Sequence, residues 1–144
     1  MSMFRKRGRL AVALSAALMG QTVLAFHPDI YQPRVPAERL DEVQEIEDPR
    51  PVTPERIEAG RAIYFGKGLC VTCHGADGKG VKIPGHSPRD FTDAKWQDLR
   101  TDGELMWVLR NGSPGTGMPV RVGRGLTEEE GWNVIRFIRT FVGQ

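Results

Sequence analysis

The sequence predicts an all-α fold: about three main helices, joined by long loops that wrap a large group supplied from outside the chain. Three observations carry that prediction. Helix-start signals precede apolar segments at residues 53, 101 and 127, and no stretch makes a convincing strand. The segments 75–100 and 113–125 are punctuated by glycine and proline and keep no apolar period. Loops this long are unusual in a small domain, and the apolar faces are thin, so a large apolar cofactor would supply the missing core.

Residues 1–25 stand apart from that fold. Arg5, Lys6, Arg7 and Arg9 precede the apolar run "LAVALSAALMG", and "TVLA" ends in small residues. This is the three-part pattern of a secretory signal peptide, with cleavage expected after Ala25. The run is shorter than the roughly 20 apolar residues of a membrane span; an uncleaved anchor is the alternative reading. No Arg-Arg pair supports a twin-arginine signal. The segment holds four bases and no acids, so its removal takes the chain from +2 to −2. No basic stripe remains that would suit nucleic acid.

Residues 26–52 contain five prolines and carry three bases against seven acids. Such a stretch is too polar to build its own core and is expected as a proline-rich acidic arm, linker or plain tether, broken into extended pieces by its prolines. Within it, "AERLDEVQEI" is a candidate short helix with Leu40 and Val43 on one face.

The domain proper is expected over 53–144. Thr53 can cap the first helix, with Pro54 at its first position and Glu55 at the positive end of its dipole. Ile57, Ile63 and Tyr64 line its apolar face around Gly60. Residues 75–100 read as loop. Thr101 or Asp102 caps the second helix, whose Leu105, Val108 and Leu109 face inward, and Gly112 stops it. Thr127 and Glu130 form a capping box for the last helix, where Trp132, Ile135, Ile138 and Phe141, with Val134 and Phe137 flanking, give an apolar face.

"CVTCH", residues 70–74, holds both cysteines of the chain. Three chemistries use such a motif. A zinc site needs about four Cys or His ligands; His27 and His86 are the only additions, and His74 adjoins Cys73 too closely for both to chelate. A redox dithiol would open a helix in a strand-rich context, and the strands are missing. C-x-x-C-H is the attachment signature of a c-type haem. Two thiols three residues apart can bond one porphyrin edge, and the adjacent imidazole then reaches the iron. An export signal fits, because a covalent cofactor cannot be lost outside the cytoplasm.

Over about residues 53–144 the chain resembles the class I cytochromes c, of the small bacterial single-haem kind. "CVTCHGADGKG" matches the haem motif and its glycine turn, "GSPGTGMP" the loop that delivers a methionine, and "WNVIRFI" the terminal helix that packs on the first. One departure is that Gly60 precedes Cys70 by ten residues, slightly more than is common.

The resemblance implies one covalent haem c, held by Cys70 and Cys73 as thioethers, with His74 and Met118 as axial iron ligands. Met106, His86 and His27 are the rivals of Met118. A backbone carbonyl is expected to hold the second ring nitrogen of His74, with Pro84 the first candidate and Pro88 the second. Arg89, Trp96 and Trp107 are candidate haem-propionate contacts. Lys67, Lys79, Lys82, Arg121 and Arg124 flank the two haem loops and could steer an acidic redox partner. The function expected is periplasmic electron transfer rather than catalysis, with redox proteins as partners. Membrane contact is expected only if the N-terminal segment is uncleaved. The alternatives are a haem subunit of a larger periplasmic oxidoreductase complex and a gas-binding or peroxidatic haem protein.

Overall fold

A computed structural model describes residues 29–144. The predicted signal peptide and His27 lie outside the described residues. Six α-helices follow in order: α1 (Leu40–Gln44), α2 (Pro54–Phe65), α3 (Val71–His74), α4 (Ala94–Leu99), α5 (Asp102–Asn111) and α6 (Glu128–Ile138), with short 3₁₀ turns at Ala37–Arg39 and Arg139–Phe141. The described residues contain two isolated β-bridges and no strand, and none of their helices is long and apolar enough to cross a membrane.

The three long helices are the three expected, and their caps explain where they begin. The Thr53 hydroxyl accepts the Arg56 amide at 3.3 Å, with Pro54 behind it. Thr101, not Asp102, caps α5, and Thr127 caps α6; each belongs to a capping box, completed by Glu104 and Glu130. The reading of 75–100 as one long loop needs correction. Asp93 accepts the Trp96 amide at 3.1 Å and starts α4, which buries Trp96 and Gln97.

α2 packs along α6, and α5 packs on both α1 and α6. The α2–α6 crossing is close because of Gly60, where an added Cβ would lie 1.9 Å from the Asn133 carbonyl oxygen. Beside it, Tyr64 meets Phe137 and Phe141 with ring centroids 5.2 and 5.6 Å away. Tyr64, Met106, Val134 and Ile135 are fully buried, each contributing roughly 1.5–3 kcal/mol by its removal from water. The apolar face of α6 is therefore wider than one stripe, because Val134 and Phe137 are buried with Trp132 and Ile135.

The acidic arm is folded onto this core. Val35 and Val43 are buried, and α1 lies so near α5 that a Cβ on Gly103 would be 2.0 Å from the Val43 carbonyl oxygen. The Asp48 side chain has no exposed surface. Arg50 bonds it at 2.8 Å, Arg56 bonds its other oxygen, and Arg136 stands 3.9 Å away. Arg136 and Arg139 also bind Asp102, at 2.5 and 2.8 Å. A charge cluster thus fastens the arm to α2, α5 and α6.

Candidate functional site

The chain between α2 and α3 is wound by glycine. The Gly68 amide bonds the Ile63 carbonyl at 2.8 Å, and a Cβ on Gly68 would lie 2.5 Å from that same oxygen. Leu69 follows with φ 53°, the one non-glycine residue with positive φ among the described residues. A left-handed L-residue costs about 1–2 kcal/mol, and here it turns the chain into Cys70, the N-cap of α3, which itself has helical dihedrals. Cys70 and Cys73, three apart on one turn, share a face.

Short as it is, α3 is braced on both sides. It ends at buried Gly75, φ 78°, whose carbonyl accepts the Tyr64 hydroxyl at 2.7 Å. The glycine turn then folds back, so that the Gly80 amide bonds the His74 carbonyl and the Val81 amide bonds that of Cys73, both at 2.9 Å. Gly78 is pressed against the Phe141 ring, 2.8 Å from where its Cβ would be.

His74 is held through Nδ1, which lies 3.1 Å from the carbonyl oxygen of Arg89. Its ring stacks on Phe91 with centroids 4.3 Å apart and planes 18° apart. Burial pushes its pKa down, against the opposing pull of the Arg89 carbonyl. Burial thus favours the neutral ring that a metal ligand requires, and Nε2 is the nitrogen that the bond from Nδ1 to Arg89 leaves to bind. The carbonyls expected to accept from His74, those of Pro84 and Pro88, are corrected by this geometry. The Phe91 amide bonds the Gly78 carbonyl at 2.7 Å, which draws residues 89–91 over α3 and brings in the carbonyl one residue past Pro88. The Pro88 carbonyl instead packs against Gly80. Pro84 is exposed and, with Lys82, Ile83 and His86, lines an open concavity of about 410 Å³.

Cys70 and Cys73 are free thiols, each partly buried. Burial pushes the Cys70 thiol up to about 11, whereas a redox dithiol needs a depressed value. Among the described residues no group of three His, Cys, Asp or Glu side chains is arranged to hold a metal ion.

Met118 is half-buried at the edge of the core. Its loop is tight: the Ser113 amide bonds the Met118 carbonyl at 3.0 Å, and the Arg121 and Val122 amides both bond the Leu109 carbonyl. The ring of exposed His86 rests on Gly117, its Nδ1 2.8 Å from where a Cβ would be. Met106, by contrast, is fully buried against Gly131 in the α5–α6 contact and is core packing.

Arg89 is half-buried with its guanidinium over the Trp96 ring, 5.6 Å from the centroid. Trp96 itself is in the core, and Trp107 is half-buried. Of the five basic residues, Lys67 pairs with Glu130 at 2.5 Å, and Arg121 donates to the Gly68 carbonyl at 2.7 Å. Lys79, Lys82 and Arg124 are exposed. The donor set fits a covalent haem: two free thiols three residues apart, an imidazole with one nitrogen anchored, and a thioether on a separate hydrogen-bonded loop. The Arg89 carbonyl and the Tyr64–Gly75 bond had no signature in the sequence, since any residue presents a backbone carbonyl.

A family model described as Cytochrome c matches residues 57–141. No curated protein sequence matches the chain. Among solved structures, the chain is similar to one in the Kuenenia stuttgartiensis reducing HAO-like protein complex Kustc0457/Kustc0458. The two are 26% identical with a TM-score of 0.52, over 70% of this chain and 54% of the other. The match thus spans about half the length of that relative.

Proposed function

The chain belongs to the cytochrome c family, and on that premise we propose that it is a single-haem, extracytoplasmic electron carrier with His74 and Met118 as axial ligands. The observation that carries the reading is the placement of Cys70, Cys73 and His74 on one helical turn, with the His74 Nδ1 fixed by the Arg89 carbonyl. Bound there, a haem supplies a one-electron Fe(III)/Fe(II) couple. Cys70 and Cys73 hold it covalently, so that the carrier keeps its cofactor in an open compartment. The carbonyl bond fixes the plane and tautomer of the His74 ring and raises its basicity. The Met118 thioether favours the reduced form relative to a second histidine. His74 and Met118 would both be committed to the iron, which would favour electron transfer over substrate binding. The N-terminal pattern of residues 1–25 supports export to the periplasm.

A second reading, a haem subunit within a larger oxidoreductase, is favoured by the similarity to a protein of the HAO-like complex. Its arm, folded on the domain at Val43 and Asp48, would form part of the surface offered to a partner. Visible spectra of oxidised and reduced protein from a periplasmic extract test the first reading. A thioether-linked haem with the weak near-infrared methionine–Fe(III) band is expected. Rapid carbon monoxide binding by the reduced protein would sink the six-coordinate carrier. Copurification with a catalytic partner would select the second reading.

A further inference from the structure

Tyr31, in the arm, reaches the segment that seats His74. Its hydroxyl donates to Asp93 Oδ2 at 3.1 Å, and the other oxygen of Asp93 accepts the Trp96 amide at 3.1 Å as the cap of α4. The Lys95 ammonium lies 4.1 Å from the centre of the Tyr31 ring, and the Arg100 guanidinium donates to the Tyr31 carbonyl. Arg100 is itself locked by buried Glu104 at 2.8 Å. Three groups therefore clamp one arm residue to both ends of α4.

What α4 supports is the other half of the relationship. The Trp96 ring carries the Arg89 guanidinium at 5.6 Å and stands 5.8 Å from the Phe91 ring. Arg89 gives its carbonyl to His74, and Phe91 stacks on the same imidazole. Phe91 has further ties of its own, through its amide to Gly78 and its carbonyl to Gln97. Arg89 is thus held from two directions: along the chain by the Phe91–Gly78 bond, and through its side chain on Trp96.

We propose that Tyr31 is a positioning residue for His74: through Asp93 and Trp96 it fixes the Arg89 carbonyl that holds the imidazole. The inference rests on His74 being the iron ligand. It makes the arm part of the ligand's mounting rather than a tether, with rigidity at α4 passed to the ring through one cation–aromatic contact.

The test uses the full-length holoprotein, ¹⁵N-labelled, with Tyr31→Phe and, as control, Arg39→Gln, an arm substitution whose native contact is only the exposed Glu42 pair. Amide exchange at Trp96 and the His74 Nδ1–H resonance are followed by NMR. Tyr31→Phe is expected to speed Trp96 exchange about fivefold, the size of one net hydrogen bond. It should also shift the His74 Nδ1–H signal or hasten its exchange, while Arg39→Gln does neither. Unchanged exchange at Trp96 overturns the brace. Faster exchange at Trp96 with an unmoved His74 signal overturns the positioning role and leaves a purely structural contact. The oxidised wild type separates the two claims: a His74 ring without paramagnetic shift overturns the ligand assignment, while the Tyr31 comparison can still be read on its own.

Discussion

The His74 imidazole is tied at 3.1 Å to the Arg89 carbonyl and stacked on Phe91 at 4.3 Å, so one short segment fixes both the edge and the face of the ring. On the proposed reading, a ligand held on two sides would keep its geometry when the iron changes charge, as an electron carrier needs.

Replacing Met118 tests the distal ligand. Met118→His should abolish the near-infrared methionine band and lower the potential by a fraction of the roughly 0.8 V span that axial ligands cover. Potentiometric titration of the purified protein reads the shift. Met106→Leu, a volume-conserving core change in a fully buried residue, should leave both band and potential in place.

Asp48 should make the fold acid-sensitive. Burial alone would push its pKa up, but the hydrogen bonds from Arg50 and Arg56 outweigh it and hold the carboxyl below its ordinary 3.8. A depressed folded value means that this stabilisation is complete above about pH 4 and is lost as pH falls through the folded value. Asp48→Asn should cost roughly 3 kcal/mol at neutral pH by leaving Arg56 without its anion and Arg50 with only the exposed Glu129. Urea midpoints across pH 2–7 should show the variant losing much of the wild type's acid dependence.

Two glycine-to-alanine changes should differ sharply. At Gly60 the new methyl would meet the Asn133 carbonyl at 1.9 Å, forcing α2 from α6 at a cost of about 3 kcal/mol or more. At Gly85, φ 75° with open space around it, only the backbone preference is lost, about 1 kcal/mol. Equal urea midpoints for the two variants would contradict the close helix crossing.

Tyr64→Phe removes one hydroxyl and leaves the Gly75 carbonyl, at the end of α3, without its donor. A loss of about 1–2 kcal/mol is expected, read by thermal unfolding. The haem should remain attached, because neither thiol nor imidazole is touched.

Much of this architecture could be read from side chains that act locally. Thr53 and Thr127 announce their helices through hydroxyl caps, and C-x-x-C-H names its chemistry by spacing alone. What escaped detection depends on distant partners. Asp93 starts a helix inside a segment whose glycines and prolines masked it. Asp48 looked like one more charge in a solvated acidic arm, until Arg50, Arg56 and Arg136 were brought around it by the fold. The arm packs through Val43 because Gly103, sixty residues later, gives it room.

The α2–α6 contact also bears on how the cofactor could be fitted. It joins the first and last long helices of the domain, so it closes a long loop and carries a large entropy of closure. Cys70, Cys73, His74 and Met118 all lie within that loop. Until α6 docks, the chain between can be open, and a rigid planar group can be joined to it without threading a finished core. The Gly60–Asn133 crossing then acts as a late latch, shutting the fold around whatever the loop already holds.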